Sequence, residues 1–161
     1  MAFANFSPGS YTVSYNAGDL GLVHRPSIVR ASTHAIPITV DLYGDAMVDA
    51  VYRARTMFVM CTFAEWNANL RSALNPFGTA HGDIGLVGRL FSDIAAALVL
   101  TPVASTPAAT LGTNTFTFSK AIVAPQNNID YILGNVERNI PVMFLCLLFD
   151  ATGTKRHFAI S

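Results

Sequence analysis

Charged side chains are scarce in this sequence. Asp, Glu, Lys and Arg make up 12% of its 161 residues, against about 25% in a common soluble domain. What charge there is cancels, because Lys plus Arg and Asp plus Glu both number 10, with His neutral. A chain with no net field cannot gather nucleic acid from a distance, and little keeps its copies apart in solution. Cysteine is nearly missing. Cys61 and Cys146 sit inside apolar runs, with no C-x-x-C and no His at zinc spacing. They read as buried free thiols, which fits a reducing cytoplasm. Long apolar runs are missing as well. The longest, "IAAALVL" (Ile94 to Leu100) and "IPVMFLCLLF" (Ile140 to Phe149), fall short of the roughly 20 residues of a membrane-spanning helix. The start "MAFANFSPGS" has neither a basic n-region nor an apolar h-region, so no signal peptide is expected.

Hydrophobic residues, by contrast, are 52% of the chain. A chain this long, with no internal repeat or linker, is expected to form one domain over residues 1–161 with a sizeable core. With so little charge, part of its surface must be apolar or merely neutral, and extended patches of that kind mark contact sites. The composition therefore points to a subunit of an assembly.

Strand patterning dominates. "SYTVSYN" places Tyr11, Val13 and Tyr15 on one face and Thr12, Ser14 and Asn16 on the other, and "NAGDLG" follows as a turn. "LVHRPSIVR" reads as an edge strand weakened by Pro26, and "AIPITVDL" as another alternating strand. "TMFVMCTF" suits a strand covered on both faces. "TFAEWNANLRSALNPFG" predicts the one clear helix, with Thr62 and Glu65 as a T-x-x-E capping box. Its apolar stripe would comprise Trp66, Leu70, Ala73 and Leu74, and Asn75-Pro76 would stop it. "IGLVGRLFSDIAAALVLTPV" mixes helical spacing with a strand ended by Pro102, and "ASTPAATLGTN" reads as a loop. "TFTFSKAIV", with Phe116, Phe118 and Ile122 on one face, "DYILGNVE" and "IPVMFLCLLF" are strands, and "KRHFAIS" can add a short edge strand. The fold class expected is mainly β, a β-sandwich or barrel with one short α-helix.

The segment "VDLYGDAMVDAVYR" raises the question of chemistry. Asp41, Asp45 and Asp49 would stack on one face of a helix, where adjacent carboxylates raise each other's pKa and can hold a metal. Asp41, however, ends an alternating strand and Asp45 follows Gly44 in a turn, which interrupts the helical register. The reading preferred is loop shaping and pairing with cations such as Arg53. His24, His34, His81 and His157 are scattered as surface histidines without metal-site spacing. "GDIGLVG" has neither dinucleotide nor Walker spacing, and no G-x-S-x-G elbow occurs. The densest basic pairs, Arg53/Arg55 and Lys155/Arg156, carry no aromatic–basic interleaving of an RNA-binding kind. No catalytic residue, metal or cofactor is expected.

Several pieces in succession resemble the tail tube (major tail) proteins of long-tailed bacteriophages. "FSPGSYTVSYNAGDLGLV" is similar to their first strand and its D-L-G turn. "VDLYGDAMVDAVYR" is similar to their Y-G-D turn and D-x-x-Y-R piece, followed as there by an apolar strand and an E-W helix, "FVMCTFAEWNANLRSAL". "VGRLFSDIAAALVLTP", "TFSKAIVAP" and the R-x-I-P-V strand "RNIPVMFLCLLF" continue the order. Each motif is weak alone; their order along nearly the whole chain carries the likeness. The resemblance implies a homohexameric ring with a shared inner β-barrel, stacked into a hollow tube that conducts DNA from capsid to host cell. It implies a virion location after assembly in the host cytoplasm, and partners among tail proteins (terminator, tape measure, baseplate). DNA would pass without specific binding, and no membrane partner is implied. Asp19, Asp41, Asp45, Asp49 and Arg53 become candidate lumen or inter-subunit contacts, with "NAGDLG", "LYGDAM" and "STPAATLGTN" as candidate ring-to-ring loops. Competing readings are another β-fold virion component (tail terminator, capsid decoration protein or contractile-injection inner tube) and a small enzyme using Asp45, Asp49 and His81. A third is a ligand-binding β-barrel lined by Tyr11, Tyr15, Phe116 and Phe118, for which core packing is the plainer role.

Overall fold

The alternating segments become strands of one antiparallel sheet in the computed structural model. It describes residues 11–24, 26–39, 47–78, 87–103, 115–125, 127–128, 139–148 and 156–161. The strands are β1 (Tyr11–Tyr15), β2 (Gly18–Asp19), β3 (Ile28–Thr39), β4 (Met47–Phe63), β5 (Ala96–Pro102), β6 (Phe116–Val123), β7 (Ile140–Cys146) and β8 (Ala159–Ile160). Two short helices, α1 (Ala68–Leu74) and α2 (Phe91–Ile94), fall between β4 and β5 in the chain. The sheet runs β2-β1-β5-β6-β7-β4-β3, with β8 added beside β6. The mainly β expectation holds. Among the described residues there is a single open sheet and a second short helix, where a sandwich or closed barrel with one helix was expected.

A single sheet can enclose a core because it curls. β1 and β7 are separated by two strands, which in a flat sheet would set them about 14 Å apart. Yet the rings of Tyr15 and Phe144 have centroids 5.5 Å apart, and the Tyr15 hydroxyl donates to the Ala121 carbonyl at 3.0 Å. Bulges assist the bend: the β5–β6 register shifts between Ala96 and Leu98, which face Ala121 and Phe118. That shift corrects the simple alternation expected of "TFTFSKAIV". Phe118, Ala121 and Val123 join the core, whereas Ile122 pairs with Leu145 on the opposite face. The core also takes Val13, Val59, Phe63, Leu98, Leu100 and Phe144, and α1 covers it with Leu70, Ala73 and Leu74. The aromatics weighed as a pocket lining pack together instead. Tyr11 meets Phe116 at 6.3 Å, and Phe158 beside β8 meets Phe116 and Phe118 at 6.1 and 5.6 Å.

The α1 cap differs from expectation. Thr62 lies in β4 opposite Pro141, and Asn67 caps the helix, its Oδ1 accepting the Leu70 N–H at 2.7 Å. Thr62 and Glu65 cannot form the capping box because β4 runs on to Phe63, so the helix starts too late. Trp66 precedes the helix and packs partly buried against the core. The two strands expected around Pro26 and Pro37 are one continuous β3 with Pro26 outside it; Pro37 is tolerated because β3 is an edge strand. "DYILGNVE", the loop "STPAATLGTN", nearly all of "LYGDAM" and most of "GDIGLVG" lie outside the described residues.

β3 and β4 leave the body as an arm. β4 pairs with β7 from Met57 to Phe63 but with β3 from Met47 to Met60. Beyond Met57 the two strands pair only with each other among the described residues, and nearly every residue there is exposed. We predict that Phe144→Ala lowers the unfolding free energy by about 3–5 kcal/mol. Ile36→Ser combined with Val51→Ser, in the arm, should change it by less than about 1 kcal/mol. Urea denaturation of dilute, monomeric protein reads both; equal losses would contradict this division of core from arm.

Candidate functional site

Paired residues in an antiparallel ladder share a face, so the register sorts the arm's side chains. Ile36 pairs with Val51 and Ile38 with Asp49, on the face turned away from the core; Ala35 pairs with Tyr52 and Thr39 with Met47, on the core-side face. The ladder slips at His34/Ala35 and at Ile38/Thr39, which leaves Arg53 and Val48 as the extra residues of two bulges. His34 stays on the outer face, its Nε2 2.8 Å from the Thr56 hydroxyl. Ile36, Ile38, Met47, Val48, Val51 and Tyr52 are 41 to 66% exposed. The outer-face stripe of Ile36, Ile38 and Val51, with Met47 and Tyr52 exposed on the core-side face, is the least self-sufficient part of the described surface, since an isolated hairpin is marginal in water.

Where the arm joins the body there is a hollow of about 520 Å³. Tyr52, Arg53 and Arg55 reach it from β4, and Arg156, His157 and Phe158 from the segment before β8. No carboxylate is among the described residues lining it. His157 pins the floor: Nδ1 lies 3.0 Å from the Cys146 carbonyl and Nε2 3.1 Å from the Arg55 carbonyl. Both oxygens are acceptors, so the ring ties the segment before β8 to β4 and to the end of β7. Arg53, Arg55 and Arg156 gather positive charge at the hollow, in a chain of zero net charge.

The other expected site residues scatter. Asp19 works within its own turn, its Oδ1 accepting the Gly21 N–H at 3.0 Å. Its carbonyl accepts from Asn69 Nδ2 at 3.0 Å and Asn67 Nδ2 at 3.3 Å. The turn before it is a two-residue hairpin with Asn16 and Ala17 at φ 50° and 62°. Gly21 has φ +97°, and a side chain there would strike Glu65. Glu65 Oε1 accepts the Leu22 N–H at 3.3 Å, tying this turn to the start of the α1 segment. Asp49 lies on the arm, its Oδ1 2.7 Å from the Ala50 N–H; as an extended strand residue it cannot join a helical acidic stripe. Asp41, Asp45 and His81 lie outside the described residues. Among the described residues, no three His, Cys, Asp or Glu side chains come together as a metal site, and no helix is long and apolar enough to cross a membrane. Comparison with protein-family models and with curated proteins finds no match to either.

The thiols are buried as expected. Burial pushes Cys61 up from 9.0 to about 11, against a smaller opposing effect of its hydrogen bond to Ser27. Burial, then the neighbouring Cys61, pushes Cys146 up to about 12. A nucleophilic thiol needs the opposite setting. Because both folded-state values are raised, their contribution to stability is full below pH 9 and is lost as pH climbs through about 11 to 12. We expect the unfolding free energy to fall by about 1.4 kcal/mol per pH unit per thiol from pH 9.5 to 10.5. Cys61→Ser should flatten that slope, as measured by urea midpoints; an unchanged slope would contradict the assignment.

Proposed function

We propose that this chain is a structural subunit of a phage tail tube, with homohexameric rings stacked into a hollow conduit for DNA. The observation that carries the reading is the β3–β4 arm. Among the described residues its outer part has one strand neighbour per strand, a bare edge along β3 and an apolar stripe. A monomer would leave all three exposed, a liability that natural sheets suppress. In the proposed ring, neighbouring copies complete the open sheet into an inner β-barrel, pair the edge and bury the stripe. The lack of net charge agrees with a wall past which DNA slides, because a basic lumen would hold phosphates. The order of motifs along the chain supports the same reading. Its partners would be further copies of itself and the tail's terminator, tape measure and baseplate proteins. The role is that of a virion component with no catalytic step.

Negative-stain microscopy of concentrated protein should reveal rings or striated tubes with a central channel. Single rings that never stack would favour a terminator of the same architecture, and a discrete monomer at every concentration would sink the reading. Val51→Asp together with Ile36→Asp should abolish these assemblies while leaving the circular dichroism of the monomer unchanged.

A further inference from the structure

We propose that residues 156–161 act as a clasp that fixes the direction of the β3–β4 arm from its root. The clasp is a property of the single subunit and holds or fails whatever that subunit assembles into. At Ala121, β6 has Ala96 of β5 on one side and Cys146 of β7 on the other. At Phe116, it has Leu100 of β5 on one side and Ile160 of β8 on the other. β7 and β8 therefore share one edge of β6, and they run in the same direction because both are antiparallel to it. They are two pieces of one lane of the sheet. β7 stops at Cys146, and residues 156–161 take up the lane beyond it.

Across that lane lies the root of the arm. β4 flanks β7 as far as Met57, opposite Cys146, and then continues outward through Thr56 and Arg55. His157 meets it there. Its ring spans from the Cys146 carbonyl, 3.0 Å from Nδ1, to the Arg55 carbonyl, 3.1 Å from Nε2. The bridge thus joins the end of β7 to the first stretch of arm that β7 no longer supports. Such a bridge transmits force only if its own segment is anchored, and this one is. Phe158 packs against the core beside Phe116 and Phe118. Thr115 and Ser161 exchange backbone hydrogen bonds at 2.7 and 3.0 Å. The arm is otherwise joined to the body through β4, because β3 pairs with β4 alone among the described residues. A two-stranded ribbon twists readily, so a grip at its root decides how far its outer end swings.

The test is single-molecule energy transfer on the full chain, at a dilution where it is monomeric. Dyes are placed at Val48→Cys on the arm and Ser72→Cys on α1; both positions are exposed, whereas Cys61 and Cys146 are buried. Wild type should give a narrow distribution of transfer efficiencies. His157→Ala and Phe158→Ala should each broaden it, on the order of twofold, with circular dichroism showing the sheet retained. Val13→Ala removes buried core contacts in β1, away from the arm. It should lower stability and keep the distribution narrow. If Phe158→Ala fails to fold, the half-exposed His157 decides alone. Unchanged widths in the folded clasp variants would overturn the proposal. So would equal broadening in Val13→Ala, or a wild-type distribution as broad as those of the variants.

Discussion

The pairing of β4 with β7 between Met57 and Phe63 is the contact on which the rest of the molecule depends. It clamps half of one long strand into the curled sheet, with Met57, Val59, Cys61 and Phe63 buried. Among the described residues the other half has no third strand to lean on and continues outward with β3 alone. Core and arm are thus mechanically continuous. Whatever load or contact the arm receives is passed into a strand whose alternate side chains are held at near-zero exposure. Because the core tolerates little rearrangement, the arm's direction is set by the body, and a pre-set direction lowers the ordering cost of binding.

A sheet that curls over one core, with a short helix across it, buries enough apolar surface to fold. It leaves a remainder. Ile36, Ile38, Val51 and Tyr52 remain in water, and with so few charges the chain has little to mask them. A monomeric domain would be expected to place Lys or Glu along an exposed β3 edge. Here the described edge carries Arg30, His34 and otherwise neutral residues, with Pro37 as its main interruption. The scarcity of charge noted in the sequence and the exposed arm fit together in the proposed assembly, where other copies would cover that surface.

Much of the fold was legible because strand alternation is a local signal. β1 and its turn, the buried half of β4, the ambiguous segment that divides into α2 and β5, and the short β8 all follow from spacing. The errors have local causes as well. Thr62 and Glu65 satisfied a capping pattern, but β4 ran past them, and Asn67 took the role with a shorter reach to Leu70. Phe118 and Ile122 looked alike until the bulge between Phe118 and Ala121 turned them to opposite faces. The hollow could not be read from the sequence at all. Arg53/Arg55 and Arg156/His157 are about a hundred positions apart, as the His157–Arg55 contact records. Only the pairing of β4, β7 and β8 with their neighbours in the sheet brings them together.

The apolar stripe and the few charged side chains of the arm would do different work in an assembly. Burial of Ile, Val and Tyr is non-directional, so it supplies affinity but tolerates sliding of one strand along another. A slip of one residue exchanges the faces of every side chain, and slips of two keep the faces while displacing the subunit by roughly 7 Å. A stripe of similar apolar residues discriminates poorly among those slipped positions. Charged side chains such as Asp49, Arg53 and Arg55 would discriminate in such an assembly, because a slipped position leaves a charge without its partner. In the proposed assembly the few charges on the arm would help set register, which a surface of hydrophobic side chains cannot do by itself.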